Sequence, residues 1–185
     1  MRKLIYSINV SLDGCCDHTK MGADEELHEF YVQQLRDGDT LLYGRKTYEL
    51  MVPFWPDMAK NESGPKDLVD FGKAFVAVKN IVVVSKTLNK VDEKNTTIIR
   101  TNLKEEILKL KQQPGKPILA GGVDVPAQLI ELGLVDEFRF VIQPIVVGEG
   151  RRVSEGANLA KGQDLKLVES KTFNSGAVAL RYVRK

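Results

Sequence analysis

Thr40-Leu41-Leu42-Tyr43-Gly44-Arg45-Lys46-Thr47-Tyr48-Glu49 decides how this chain is read: a short apolar run meets a glycine and passes directly into helix-compatible residues carrying cations and a hydroxyl. Two further segments repeat the device, Ile81-Val82-Val83-Val84-Ser85-Lys86-Thr87 and Leu119-Ala120-Gly121-Gly122-Val123. Each brings small residues, hydroxyls or a cation to the place where a strand-like run ends. In an open α/β sheet the carboxyl ends of the strands share one edge, so three such segments can surround one extended phosphorylated ligand.

The rest of the chain alternates strand and helix periods. Leu4, Tyr6, Ile8 and Val10 fall on one face of a strand over Lys3 to Ser11, and Asp13-Gly14 turns it. Leu27, Phe30, Tyr31 and Leu35 recur at helical spacing from Asp24 to Arg36, with acids in the first turn. The pattern predicts a helix from Arg45 to Met51 stopped by Pro53, and another from Lys66 to Phe75. Strands are predicted at Ile81 to Ser85, Thr96 to Arg100 and Lys116 to Ala120, and helices at Leu103 to Lys111 and Pro126 to Leu132. Val135 to Val147 reads as a long strand interrupted at Pro144, followed by the aperiodic stretch 148–163. Leu165 to Phe173 and Ala177 to Val183 form a hairpin around Asn174-Ser175-Gly176. Alternating βαβ units with an antiparallel C-terminal ribbon give an α/β fold with a mixed sheet.

Composition narrows the partners. A chain of 185 residues is long enough for one domain, over 1–185, with a full core. The net charge of +2, with basic and acidic residues interspersed, argues against nucleic acid or an anionic membrane as partner. Met1-Arg2-Lys3-Leu4 runs straight into a strand pattern, and no window approaches the roughly 20 apolar residues of a membrane span. A cytoplasmic location is expected. Cys15-Cys16, the only cysteines, read as reduced residues in a loop, and no metal site is expected.

Each strand-end segment has two readings. Gly44 permits close backbone approach and Thr47 lies in the first helical turn, where amides and a hydroxyl hold phosphate; the alternative is a glycine turn with a solvated Arg45-Lys46 pair. Ser85-Lys86-Thr87 suits an adenosine 2′-phosphate or is a plain strand end. Gly121-Gly122 lets a pyrophosphate lie on the backbone, without the acidic residue that marks NAD selectivity, so the set favours NADP.

Taken in order, Ser11-Leu12-Asp13-Gly14, Leu42 to Glu49, Val84 to Leu88, Ala120-Gly121-Gly122, Gly133-Leu134-Val135-Asp136-Glu137 and Gln143 to Gly150 give the chain a specific resemblance. It resembles the dihydrofolate-reductase-like superfamily, and within it the C-terminal reductase domain of the bifunctional riboflavin-biosynthesis deaminase/reductase. The resemblance implies a three-layer α/β/α fold around a roughly eight-stranded mixed sheet, NADPH as hydride donor and a homodimer. It also implies that Gly44, Arg45, Lys46 and Thr47 meet the cofactor phosphates. Ser85, Lys86 and Thr87 would meet the 2′-phosphate side, and Gly121, Gly122 and Val123 the pyrophosphate and nicotinamide side. The expected activity is NADPH-dependent reduction of a small pteridine- or pyrimidine-like heterocycle, similar to 5-amino-6-(5-phosphoribosylamino)uracil reduction. A dihydrofolate or dihydropteridine reductase, or a non-catalytic NADP-binding protein, are the alternatives.

The substrate half departs from the family pattern. Ala120 and Met51 stand where acidic residues are usual, Met58 falls near the place of the substrate-phosphate arginine, and His28 occupies the region of the pterin-binding carboxylate. Reduction of a C=N bond needs a proton from a positioned acid or an ordered water. Asp13 and His28 are the catalytic candidates, with Glu25 and Glu49 behind them. The competing readings are an ordinary turn for Asp13-Gly14, a core-edge histidine for His28, and a surface partner of Arg45 or Lys46 for Glu49. Trp55, beside Phe54 and Pro56, reads either as the wall of an aromatic substrate pocket or as a core anchor.

Overall fold

The computed structural model describes residues 1–61, 63–91, 94–159 and 162–185. The elements run β1 (Leu4–Ser11), α1 (Glu25–Asp37), β2 (Thr40–Gly44), α2 (Arg45–Lys60), α3 (Lys66–Val76), β3 (Asn80–Val84), β4 (Thr96–Ile99), α4 (Leu103–Gln112), β5 (Ile118–Ala120), α5 (Asp124–Glu131), β6 (Glu137–Gln143), β7 (Leu165–Thr172) and β8 (Val178–Arg184). The strands form a mixed eight-stranded sheet in the order β4-β3-β2-β5-β1-β6-β8-β7, the α/β architecture that the sequence predicts. The chain comprises two compact units, Met1–Arg2 with Ala23–Leu119, and Lys3–Gly22 with Ala120–Lys185.

In the first unit β2, β3 and β4 are parallel and level. Thr40 pairs with Asn80 and Gly44 with Val84, while Ile81 pairs with Thr96 and Val84 with Ile99. Thr40 to Tyr43 and Ile81 to Val83 are all buried, which is why these strands read as continuous apolar runs rather than alternating ones. Their amino ends are fixed by a buried ion pair between Arg2 and Asp39. Arg2 also donates to Thr40 Oγ1 (2.8 Å) and to the Lys116 carbonyl (2.6 Å), and the Lys116 amide donates to Asp39 Oδ2 (2.9 Å). Asp24 caps α1 by accepting from the Leu27 amide at 2.9 Å.

The expectation that Pro53 stops the second helix is corrected: α2 continues to Lys60 with Pro53 and Pro56 inside it. Each interior proline removes a donor and crowds the carbonyl four residues back, at about 3 kcal/mol. Packing against α3 offsets this. Trp55 lies on Phe71 with ring centroids 4.2 Å apart, its Nε1 donates to Met51 Sδ at 3.4 Å, and Val52 is buried. Aromatic area removed from water at roughly 25 cal/mol per Å² is the term that local stop signals omit.

In the second unit β1 runs parallel to β6, from Ile5 opposite Glu137 to Ser11 opposite Gln143, and β6, β8 and β7 form the antiparallel ribbon. The strand expected over Val135 to Val147 is shorter at both ends, because Asp136 lends its carboxylate to the Leu4 amide (2.7 Å) and Pro144 cannot continue the ladder. Buried Glu137 is met by Arg139 at 2.7 Å, Arg181 at 3.0 Å and Lys3 at 3.4 Å. Gly133, at φ +66°, turns the chain out of α5. No helix among the described residues is long and apolar enough to cross a membrane.

Gly72 is a point of close approach between α2 and α3: a Cβ there would lie 2.8 Å from the Ala59 nitrogen and 2.9 Å from the Trp55 carbonyl oxygen. Helix propensity favours alanine over glycine by about 1 kcal/mol, but overpacking against backbone costs roughly 1–3 kcal/mol and wins. Gly72→Ala is therefore expected to lower the urea midpoint. An unchanged or raised midpoint would show that the two helices can separate freely.

Candidate functional site

The level ends of β2 and β3 place two of the three strand-end segments side by side in the first unit. Gly44 sits at φ −78°, a conformation open to any residue, so what glycine contributes there is the absence of a side chain. The first turn of α2 begins at Arg45 with no side-chain cap and no acidic residue. The other helices differ, with Glu25 and Glu26 in α1, Asp67 in α3, Glu105 and Glu106 in α4, and Asp124 in α5. The positive end of the α2 dipole thus has no acidic residue in its first turn, and Arg45 and Lys46 are exposed there with Thr47 half-buried beside them. Arg45 pairs with Glu49 at 3.7 Å, a half-exposed contact worth little, which leaves its cation usable.

At the end of β3, Ser85 is buried and its Oγ accepts the amides of Thr87 (3.2 Å) and Leu88 (3.0 Å). Ser85 therefore shapes the turn while Lys86 and Thr87 stand exposed. The region offers an anion an uncapped helix terminus bearing Arg45 and Lys46 and a turn bearing Lys86.

The second unit holds Asp13 and the glycine pair. The Asp13 carboxylate accepts from Ser11 Oγ at 2.6 Å and from the amides of Val147 (3.1 Å) and Gly148 (2.9 Å). These bonds, the Ser11 hydroxyl foremost, hold the carboxyl well below the usual range, so at neutral pH it carries no proton. Around it the chain closes on itself: the Leu12 amide donates to the Ile145 carbonyl, the Cys16 amide to the Arg151 carbonyl, and Arg152 to the Asp13 carbonyl. Cys15 is buried, and burial together with Cys15 pushes the Cys16 thiol up to about 11, which keeps Cys16 a thiol at neutral pH. Gly122, at φ +89°, requires glycine, and its carbonyl accepts from Tyr6 Oη at 2.9 Å. Val123 is the N-cap of α5, and Asp124 after it pairs with Arg151 at 2.7 Å.

His28 and Trp55 belong to the helices of the first unit. His28 Nδ1 lies 2.6 Å from Asp67 Oδ2, and its ring meets Phe71 edge-on. Burial pushes the Asp67 carboxyl up, but the His28 contact and the Leu68 amide outweigh it and leave it below the ordinary range. Trp55 packs between Phe54 and Phe71, and Met51 receives its indole N–H. Tyr6 was read only as a strand-face residue, and Arg151, Arg152 and Asp67 went unnoticed in the sequence. Only the Arg151-Arg152 doublet, in a stretch without period, carried a local signal. Among the described residues no His, Cys, Asp and Glu cluster is arranged to hold a metal.

The RibD C-terminal domain model matches residues 2–179. The chain belongs to that family. RibD C-terminal domains are reductase domains, which supports an oxidoreductase as the general activity class. The chain is 36% identical over 193 residues to the uncharacterized protein YyaP of Bacillus subtilis (strain 168), covering 98% of this chain and 94% of that one. A pyrimidine reductase-like protein from Corynebacterium diphtheriae shares the fold at TM-score 0.70 and 15% identity, covering 100% and 92% of the two chains. A diaminohydroxyphosphoribosylaminopyrimidine deaminase/5-amino-6-(5-phosphoribosylamino)uracil reductase from Thermotoga maritima does so at TM-score 0.69 and 15% identity, and the chain spans 57% of that protein.

A carboxylate held down by three donors contributes its bonds fully above the ordinary aspartate value of about 4, and loses them only as the pH falls well below it. The Asp13 clamp is therefore expected to survive at pH 4. An NMR titration in which Asp13 is half-protonated near pH 4 would remove the clamp.

Proposed function

We propose that the protein is an NADPH-dependent reductase of a small heterocyclic, pyrimidine- or pteridine-like, substrate, similar to 5-amino-6-(5-phosphoribosylamino)uracil reductase. The observation that carries the reading is the level pairing of Gly44 with Val84, which sets an uncapped, acid-free helix terminus beside the exposed Lys86 and Thr87. These residues fit an anionic dinucleotide: the α2 amides with Arg45, Lys46 and Thr47 would hold phosphate, and Lys86 with Thr87 the 2′-phosphate. Gly121, Gly122 and Val123 are proposed, from the sequence resemblance, to take the pyrophosphate and nicotinamide side. When bound, NADPH supplies the hydride.

The proton comes from a positioned acid or from a water that the chain orders. Asp13 is ionised and His28 Nδ1 is engaged by Asp67, so neither is disposed as a ready donor in the form described. We assign Asp13 the role of ordering a water or the substrate, keep His28, through Nε2, as the second catalytic candidate, and keep Trp55 as a proposed substrate contact. A homodimer and a cytoplasmic location belong to the same proposal. Leu167 and Val168, 48% and 43% exposed on edge strand β7, offer apolar surface for a two-fold contact. Sedimentation at micromolar concentration should give a dimer, and a species of 20.7 kDa would refute it.

NADPH is expected to bind more tightly than NADH by about ten- to a hundredfold, the worth of one charge-assisted contact, and Lys86→Ala should remove most of the difference. Equal dissociation constants by calorimetry would overturn the cofactor assignment. With NADPH oxidation measured against pterins and ribosylaminopyrimidines, Asp13→Asn should keep NADPH affinity and lose roughly a hundredfold in turnover. Wild-type rates from that variant would exclude Asp13 from the reaction.

A further inference from the structure

The turn after β3 is tied down at both ends. Its near end is held by the buried Ser85 hydroxyl on the amides of Thr87 and Leu88. Its far end is held by Arg100, the residue that follows β4. Arg100 Nη1 donates to the Leu88 carbonyl at 2.7 Å and Nη2 to the Asn89 carbonyl at 3.3 Å. Arg100 is itself fixed by the sheet, since Val84 pairs with Ile99 and the Ser85 amide donates to the Ile99 carbonyl at 3.0 Å. A planar guanidinium can serve two successive carbonyls at once, whereas a lysine ammonium is a single point charge on a flexible stem.

We infer that Arg100 is a positioning residue that presents Lys86 and Thr87, and through them sets the preference for a cofactor bearing an adenosine 2′-phosphate. The inference rests on the NADPH reading above. The phosphate is met by Lys86 and Thr87, and Arg100 acts one step behind them by clamping carbonyls that would otherwise move. A cation that merely raised the local potential would be replaceable by lysine; a two-carbonyl clamp is not.

The test compares wild type, Arg100→Ala and Arg100→Lys by calorimetry with NADPH and with NADH, and by hydrogen exchange at the Thr87 and Leu88 amides. Arg100→Ala is expected to weaken NADPH roughly tenfold while leaving NADH unchanged, and Arg100→Lys to recover only part of the loss. The Thr87 and Leu88 amides should exchange faster in Arg100→Ala while the β3 amides keep their rates. An unchanged NADPH to NADH ratio in Arg100→Ala, with a discriminating wild type, overturns the inference, as does full recovery by Arg100→Lys. A wild type that binds both cofactors equally overturns the NADPH reading and the selectivity role together. Unchanged exchange at Thr87 and Leu88 overturns the positioning role by itself.

Discussion

Asp39 and its buried partner Arg2 fix the register on which the first unit depends. Asp39 lies one residue before β2, its carbonyl receives the Asn80 amide at 3.1 Å and its carboxylate receives Arg2 and the Lys116 amide. A buried pair of this kind adds little net stability, yet removing one partner costs about 3–5 kcal/mol because the other is left charged and dry. It therefore works as a register pin. With β2 and β3 pinned at their amino ends, their equal length brings Gly44 and Val84 level at the other end, and the chemistry of both following segments begins at the same height.

That arrangement explains how much of the fold was legible in the sequence. Runs such as Leu41-Leu42-Tyr43 and Ile81-Val82-Val83 are apolar because both faces are buried, and burial is written into composition. The helix over Arg45 to Lys60 was not legible past Met51, because its continuation is decided elsewhere: Phe71 under Trp55, and a glycine at 72 that lets α3 approach. The strand end at Pro144 was visible as an interruption. The reason that residues 145–148 turn inward was not, since Asp13 lies more than 130 positions earlier in the chain.

The site divides in the same way. The cations and hydroxyls at strand ends are local features, and the sequence placed them at the sheet edge where the structure has them. Their availability is a tertiary property. Ser85 was read as a ligand to phosphate, and its oxygen accepts two amides of its own turn, while Lys86 and Thr87 beside it are exposed. Met51, which departs from the acidic residue usual in the family, is absorbed into helix packing as acceptor for Trp55.

The two acids singled out for proton transfer show the limit of reasoning from residue type. A general acid must carry its proton near neutral pH, which requires burial or a negative neighbour to hold the carboxyl up. Asp13 has the opposite surroundings, a hydroxyl and two amides pointing at its oxygens, and these stabilise the anion. Such a group can orient a water molecule or accept a hydrogen bond from substrate, but it cannot be the source of the proton while the clamp is closed. His28 has a carboxylate neighbour, but that neighbour engages Nδ1 and joins α1 to α3, so only Nε2 is left to act. If the protein reduces a C=N bond, water ordered by Asp13 is the donor most consistent with both environments, and the acid then lies in the solvent rather than in the chain.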